Sequence, residues 1–301
     1  MKAINEYGVL ANIRNITKAV DRAEELLEKG DAPMPELLSL EAVLNQESDA
    51  MLILRRDQEY EPRLSAVIEK IKKASEEYNL PSLENKVDCW SINGVQYRNG
   101  IYTVDLLKTL LDNGSSKTQD GWAEFSEKAI GNKGFYVGDL PLQHAIFTTL
   151  FKNKNALNND EIENIRKFLN DSMVKHWMMT LTRFNYTPFD EDIVIHNYGL
   201  QDKYEIRENI VGLDELVKNA SDKKPYKAIL GTDDTAEINA VYNWITGKDA
   251  YLWRVNSKPK KNDVRIARVD ASTGRAILSC DGGPQSSDAA FGVRRRAKFF
   301  P

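Results

Sequence analysis

The sequence predicts an α+β protein in which a helical segment over residues 1–82 precedes a second domain over residues 83–301 with small antiparallel sheets. Three observations support this fold class. Apolar residues recur at helical spacing up to about residue 80. An alternating apolar stretch with two Asn-Gly pairs follows, and in the last part of the chain short apolar runs alternate with polar loops. With 301 residues, of which 42% are hydrophobic, the chain is long enough for two domains with cores of their own.

The N-terminal segment contains three predicted helices. The first has a heptad seam formed by Val9, Ile13, Ile16, Val20, Ala23 and Leu27. The second is predicted from the spacing of Leu37, Leu40, Leu44, Met51 and Leu54. The third begins with Pro62 in its first turn and ends before Pro81. Narrow stripes of this length make only a thin bundle, so we expect the segment to pack on the rest of the chain or to form a homo-oligomer.

Residues 87–111 show apolar alternation around two Asn-Gly pairs. Asn93-Gly94 predicts a tight hairpin turn, and Asn99-Gly100 predicts a second turn or a bulge. Apolar spacing then predicts a helix that carries Val104, Leu107, Leu110 and Leu111. A polar loop over residues 112–121 follows, and two further helices are predicted, one after Pro141 and one over residues 158–181 with Asn159 as its cap.

The last third of the chain contains short elements. Residues 192–199 predict a strand, and short helices are predicted over 211–221 and 233–247. The second of these helices is capped by Asp233 or Asp234 and stopped by Gly247. Four strand-like runs follow: AYLWRVN, VRIARVD, RAILSCD and FGVRRRAKFF. In the last run, a regular strand would place one set of residues on the buried face: Phe291, Val293, Arg295, Ala297 and Phe299.

Charge and composition exclude several classes of function. The chain has 41 basic and 45 acidic residues, a formal charge of -4, which gives no general electrostatic attraction to nucleic acid. No stretch approaches the roughly 18 apolar residues of a membrane span, and no apolar signal region begins the chain, so we expect a soluble protein that is cytoplasmic or virion-associated. Cys89 and Cys280 show no zinc or disulfide pattern and are expected to be buried thiols, although a single distant disulfide stays open.

Candidate catalytic residues are few. Asp190, Asp192 and His196 could form an oxygen and nitrogen metal site, which would make the protein a metal-dependent hydrolase. His144 and His176 fall in helical patterns among apolar neighbours, where a packed or capping histidine is expected. Neither cysteine has an activating histidine nearby in the sequence, and no Gly-rich phosphate loop is present. We therefore expect no enzyme activity and no cofactor.

Basic residues near the end of the chain suggest a second alternative. The runs SKPKKND and GVRRRAKFF contain Lys258, Lys260, Lys261, Arg294, Arg295, Arg296 and Lys298. If they lie in one region, they could bind phosphates while Trp253 and Phe299 stack on bases, as in a nucleic-acid-binding protein. The opposing expectation is structural: Arg295 pairs with a buried carboxylate and Arg294 holds the last strand in its sheet.

Several short motifs between residues 226 and 300 resemble a known fold. They are Trp253-Arg254, Ala267-Arg268-Val269-Asp270, Gly274 and Phe291-Gly292-Val293-Arg294. This order resembles the C-terminal half of C-type-lectin-like domains of the formylglycine-generating-enzyme type. The resemblance implies that the last strand pairs with an early strand in one small antiparallel sheet. It also implies that the irregular segments between Trp253 and Phe291 share one surface.

The same fold group includes the variable proteins of diversity-generating retroelements, which are viral or prokaryotic and display varied side chains on that surface. The catalytic cysteines of the formylglycine-generating enzymes have no counterparts here, and no Glu-Pro-Asn calcium triplet is present. The resemblance therefore implies a non-catalytic ligand-binding protein whose ligand is a protein or a surface glycan, with avidity supplied by the N-terminal helices. The expected binding residues are Trp253, Asn256, Lys258, Asn262, Arg265, Asp281, Gln285 and Ser287.

Overall fold

The computed structural model describes residues 6–28, 40, 43–44, 48–79, 83–155, 159–272 and 274–299. Contacts along the chain divide it into two units, Met1–Leu80 and Pro81–Pro301. Helices make up the described part of the first unit, and the second combines helices with two sheets. The chain is therefore a mixed α+β protein in which helices precede the sheets, as the sequence predicts.

The first unit contains α1 (Glu6–Glu28), α2 (Asp49–Leu54) and α3 (Glu61–Asn79). α1 contacts both of the other helices. Its predicted seam is partly buried, and a separate core forms from Ile16, Val20, Ala23, Met51, Leu54, Leu64, Val67 and Ile71, among others. The Ser48 hydroxyl caps α2 by accepting a hydrogen bond from the backbone N–H of Met51. Much of the second predicted helix, between residues 37 and 48, lies outside the described residues.

The second unit contains the following elements in chain order: β1 (Leu83–Asn85), β2 (Cys89–Tyr97), β3 (Gly100–Leu110), α4 (Gln119–Gly131), β4 (Tyr136–Val137), α5 (Leu140–Lys152), α6 (Asn159–Lys175), β5 (Met178–Tyr186), β6 (Asp192–His196), β7 (Tyr204–Glu208), β8 (Glu215–Leu216), α7 (Lys224–Leu230), α8 (Thr235–Thr246), β9 (Ala250–Trp253), β10 (Asp263–Asp270), β11 (Ala276–Gly282) and β12 (Phe291–Phe299). None of the helices in the described ranges has both the length and the apolar content of a bilayer-spanning segment.

A five-stranded antiparallel sheet has the order β1-β2-β3-β12-β4. β3 occupies the segment around Val104 for which a helix was predicted. That prediction is wrong, because this segment is a strand that pairs with β2 on one edge and with β12 on the other. The apolar residues of such an interior strand fall at positions that also fit the spacing of a helix.

Of the two Asn-Gly predictions in this sheet, the first is wrong and the second is correct in its turn alternative. Asn93-Gly94 lies inside β2, where the pairing register shifts and Gly94 has a φ of +77°, so it forms a bulge and not the predicted hairpin turn. The tight turn is made by Arg98 and Asn99, because the flanking Tyr97 and Gly100 pair with each other.

A seven-stranded sheet has the order β7-β6-β5-β10-β11-β9-β8. Its pairs are antiparallel except β9 with β11, which run parallel. The expectation of only small antiparallel sheets is therefore wrong for this sheet. The four predicted strand runs of the last third are correct, and they supply β9, β10, β11 and β12.

The helix prediction over residues 233–247 is correct, and its predicted capping residues are present. α8 has Asp234 as its N-cap and Gly247, at a φ of +69°, as its C-cap. α6 ends at Lys175, however, and the predicted extension to residue 181 is instead the start of β5. The predicted helix over 211–221 is wrong, since this segment holds β8 and a short 3-10 turn. α4 and α7 were not predicted.

The last strand, β12, lies between β3 and β4 and closes the five-stranded sheet. Phe291 and Val293 are buried, and the Phe291 ring packs edge-on against Phe147 at 6.2 Å between centroids. Two register shifts interrupt the predicted alternation, between Phe291 and Val293 and again after Arg295. Cys89 and Cys280 are both buried free thiols, as predicted.

Replacing Phe291 with Ala should lower the free energy of unfolding by about 3–5 kcal/mol, because Phe291 is 1% exposed and its ring leaves a cavity. The matched control is Phe189→Ala at a side chain that is 96% exposed, for which a change within about 0.5 kcal/mol is expected. Urea unfolding followed by tryptophan fluorescence measures both, since all five tryptophans lie beyond residue 82. Equal losses in the two variants would contradict this account of the β12 core.

Candidate functional site

The topology of the seven-stranded sheet brings four connections to one end. Tyr186 at the end of β5 pairs with Asp263 at the start of β10, and Asp192 at the start of β6 pairs with Glu208 at the end of β7. β9 and β11 also run toward this end. We call this end the rim, and it consists of residues 187–191, 209–214, 254–262 and 283–287. Connections held by a rigid sheet are a common location for binding residues.

The eight expected binding residues lie on the rim or on the strands that lead to it. Asn256, Lys258 and Asn262 belong to the connection between β9 and β10, and Gln285 and Ser287 belong to the connection that follows β11. Trp253, Arg265 and Asp281 lie on β9, β10 and β11 themselves. Asn256, Asn262, Gln285 and Ser287 are exposed.

Lys258 holds the rim together. Its Nζ lies 2.6 Å from Oδ1 of Asp192, and it also donates to the backbone carbonyl of Asp190 at 2.9 Å. The Asp192 carboxylate is fully buried and accepts further hydrogen bonds from the backbone N–H groups of Thr187 and Ile210. One buried carboxylate thus joins three of the four rim connections. Lys258 is committed to this ion pair and does not present a free cation to a ligand.

Arg265 and Asp281 contact each other directly. The guanidinium of Arg265 donates to the backbone carbonyl of Asp281 at 3.2 Å and forms an ion pair with Asp263 at 2.8 Å. The carboxylate of Asp281 accepts a hydrogen bond from the hydroxyl of Ser279 at 2.9 Å. Ser279 pairs with Trp253 across the parallel strands. Three of the expected binding residues therefore belong to one connected patch of β9, β10 and β11.

Trp253 lies on the surface of this patch and not in the core. Its side chain is 37% exposed, and its ring centroid lies 6.3 Å from that of Trp177. The guanidinium of Arg268 lies 4.5 Å from the Trp177 ring and forms an ion pair with Asp288. Sequence reasoning missed Trp177 because the helix was extended through it. A helix predicted to end at Lys175 would have placed Trp177 in the connection before β5.

Exposed apolar side chains on the rim were also missed. Phe189 is 96% exposed in the turn between β5 and β6, and Leu213 is 74% exposed between β7 and β8. Val264, the second residue of β10, is also exposed. A signal was present in the sequence, because Phe189 stands between Pro188 and three acidic residues in a segment that is otherwise a polar turn.

The backbone that carries Leu213 is fixed by Arg254. The Arg254 guanidinium donates to the Leu213 carbonyl at 2.6 Å and contacts Glu215 at 3.1 Å. A Cβ atom at Gly212 would lie only 2.7 Å from the centre of that guanidinium. A side chain at position 212 would therefore displace the Arg254 guanidinium from the Leu213 carbonyl. In the structure these hydrogen bonds hold the backbone at Leu213, whose side chain is exposed.

The proposed metal ligands are not brought together. Asp192 and His196 stand at opposite ends of β6, roughly 13 Å apart at the usual rise of a strand. His196 is buried between the Thr182 hydroxyl and the Ala228 carbonyl, and burial lowers the pKa of its ring. In the described ranges, no three His, Cys, Asp or Glu residues are grouped closely enough to hold a metal ion. A site that shares Asp190, Asp192 and His196 is therefore wrong.

The basic residues do not form one cluster. Lys258, Lys260 and Lys261 lie in a connection of the seven-stranded sheet, whereas the three arginines lie on β12 of the five-stranded sheet. The latter are paired: Arg294 and Arg296 with the buried Asp105, and Arg295 with Asp202. The structural role expected of Arg294 is confirmed. Arg295 does pair with a carboxylate, but the side chain of Asp202 is 40% exposed and is not the buried partner that was expected. The side chains of Lys298 and Phe299 lie outside the described part.

The rim offers apolar anchors, exposed amides and a mixture of charges, of which Arg254 and Lys258 are engaged in ion pairs with the adjoining strands. Such a surface can bind a partner. Burial raises the pKa of the Cys280 thiol, so this sulfur is protonated at neutral pH. Comparisons with protein-family models, curated proteins and solved structures find no match to this chain.

Replacing Lys258 with Met should lower the free energy of unfolding by about 3 kcal/mol, because Asp192 would remain as a buried charge without its cation. The matched control is Lys260→Met at an exposed lysine that has no ion pair within the described ranges, where a change within about 0.5 kcal/mol is expected. Tryptophan fluorescence in urea again gives the measurement. If the two lysine variants unfold at the same midpoint, Lys258 does not hold the rim.

Proposed function

We propose that this chain is a non-catalytic binding protein whose C-terminal unit, a C-type-lectin-like scaffold, recognises a protein ligand through the rim. One observation carries this proposal. Phe189 and Leu213, on two connections, and Trp253, at the end of β9, are exposed at the same end of one sheet, and partly buried ion pairs hold these connections in place. Exposed apolar side chains on a rigid frame are the usual anchors of protein interfaces.

The exposed apolar side chains of the rim favour a protein over a glycan. A glycan offers mainly hydroxyl groups, which gain nothing from contact with an apolar side chain. Two cations of the rim are also engaged already, Lys258 by Asp192 and Arg254 by Glu215. Burial of phenylalanine and leucine side chains in an apolar pocket of a partner, by contrast, makes the free energy of binding more favourable.

Two features support the lectin-like scaffold. β12 pairs with β3, which brings the last strand into the same sheet as an early one, as the resemblance implies. The exposed polar residues Asn256, Asn262, Gln285 and Ser287 form no side-chain hydrogen bond or ion pair within the described ranges. Their exchange would therefore leave the frame intact, as expected of a surface whose side chains vary among relatives.

Peptides selected from a phage-displayed random library on the immobilised full chain provide the test. We expect them to bind the rim and to lose at least about tenfold in affinity on a Phe189→Ser, Leu213→Ser double variant, because two apolar anchors are removed. The matched control is Val87→Ser, which removes an apolar side chain that is 91% exposed outside the rim. Surface plasmon resonance with each purified variant measures the affinities.

The control variant should bind the selected peptides as the parent does. Peptides that bind the double variant with unchanged affinity would contradict the assignment of the rim. A glycan array gives the second comparison. Binding to one class of glycan that disappears in the double variant would replace the protein ligand with a glycan.

We also propose that the N-terminal unit joins copies of the chain, which would raise the avidity of a weak site. Leu52 and Ile53 are adjacent and exposed on α2, although most apolar residues described in this unit are buried. Sedimentation equilibrium at micromolar concentration should show a dimer or a larger species, and a Leu52→Ser, Ile53→Ser variant should shift it toward monomer. A clean monomer of the parent chain would remove this proposal.

A further inference from the structure

A concave surface lies away from the rim. It is a cleft of about 680 Å³ between α5, the turn that joins β2 to β3, β7 and α7. Its lining is mixed. Tyr97, Pro141, Ala145, Ile206 and Leu230 supply apolar surface, and the polar contributors are Gln96, Arg98, Asn99, His144, Thr148, Lys152, Asn153, Tyr204, Lys227, Thr232 and Glu237. A cleft of this size matches the volume of sites that bind small molecules.

One face of α5 forms a wall of the cleft. His144, Thr148 and Lys152 follow each other at intervals of four residues and therefore lie in one row along the helix. The carboxylate of Glu237, on α8, lies 2.6 Å from the Lys152 ammonium. This ion pair links α5 to α8 beside the cleft.

The cleft has an excess of positive charge. It is lined by the cations Arg98, Lys152 and Lys227 and by the carboxylate of Glu237. The pair between Lys152 and Glu237 cancels one charge of each sign, which leaves Arg98 and Lys227. Neither has a carboxylate partner in the part of the chain that the structure describes. Two uncompensated cations beside one concave surface attract an anion.

Arg98 occupies this position at a conformational cost. Its φ is +53°, in the left-handed region. For a residue with a Cβ atom, this backbone conformation is about 1 kcal/mol less favourable than the right-handed one. Its guanidinium lies 4.1 Å from the centroid of the Tyr204 ring, a second residue of the cleft. The positive φ belongs to the two-residue turn between β2 and β3, and this turn places the guanidinium beside the cleft.

His144 supplies an unused polar atom. The residue is 3% exposed, its Nε2 lies 3.4 Å from the Thr148 hydroxyl, and its Nδ1 is buried without a hydrogen-bond partner. Burial lowers the pKa of the ring to about 4, so the imidazole is neutral at pH 7 and can donate or accept. This Nδ1 atom is closed to solvent, so His144 contributes to the wall of the cleft and not to its open hydrogen-bonding groups.

The back of the cleft is rigid. Tyr97 lines it, and its hydroxyl donates to the buried carboxylate of Asp139 at 2.6 Å and accepts from the Asn197 amide at 3.2 Å. Asp139 also caps α5 by accepting from the backbone N–H of Leu142. The helix that carries His144 is thus fixed to the strand that carries Tyr97. The walls are formed before any ligand binds, which reduces the entropic cost of binding.

We propose that this cleft binds a small organic anion that also bears hydroxyl groups. Arg98 and Lys227 hold the anionic group, and the amides of Gln96, Asn99 and Asn153 with the hydroxyls of Thr148 and Thr232 receive the hydroxyl groups. This site is separate from the rim, so its occupancy does not depend on the function proposed above. No covalent step is involved.

Calorimetric titration of the full chain tests this site with glucose 6-phosphate and gluconate as anionic probes and glucose as the neutral probe. We expect saturable binding of at least one anion and none of glucose at the same concentration. An Arg98→Gln, Lys227→Gln variant should bind that anion at least about tenfold more weakly, since both uncompensated cations are lost. The matched control, Lys260→Gln, Lys261→Gln, removes the same charge from the rim and should bind as the parent does.

NMR of the histidine rings gives an independent readout, because the resonances of His144 should shift with the same concentration dependence. Absence of saturable binding by both anions would overturn the proposal. Equal weakening in the two double variants would also overturn it, since only the net charge of the protein would then matter. Affinity for inorganic phosphate equal to that for glucose 6-phosphate would overturn the assignment of a ligand with hydroxyl groups.

Discussion

The position of β12 between β3 and β4 is the constraint on which the second unit depends. The ion pair of Arg294 with Asp105 joins residues 189 positions apart, so the five-stranded sheet is complete only when nearly the whole unit has been brought together. Closing a loop of this length has an entropic cost that local helix formation avoids. The buried Phe291 and Val293 offset this cost by joining the core, where Phe291 contacts rings from α5 and α6.

Two fully buried carboxylates have related roles in this fold. Asp105 is paired with Arg294 and Arg296 from β12, and Asp192 is paired with Lys258 from the connection after β9. In both cases the cation comes from a distant part of the sequence. A buried ion pair adds little net stability, but leaving one partner alone is costly, so each pair disfavours every arrangement that separates its members. Asp105 fixes the last strand, and Asp192 fixes the rim.

The sequence predicts best the features that local chemistry determines. The capping residues of α8 and the four strands of the last third are correct because Asp234, Gly247 and the polar connections act over a few residues. β3 was read as a helix because pairing on both edges removes the alternation that marks a strand. The expected binding residues reach one end of a sheet, but Trp177, Phe189 and Leu213 were missed. Exposure of an apolar residue depends on the tertiary fold, which no local pattern reports.

The rim and the cleft are connected by β6 and β7. Asp192 and Glu208 face each other at the rim end of this pair, and His196 and Tyr204 face each other at the end where Tyr204 lines the cleft. The pairing between the two strands keeps one register from end to end. Coupling between two sites requires an element with two arrangements that each ligand favours differently. The β6–β7 ladder has a single register, with Asp192 buried at one end and His196 buried at the other. We therefore expect the two proposed sites to bind independently of each other.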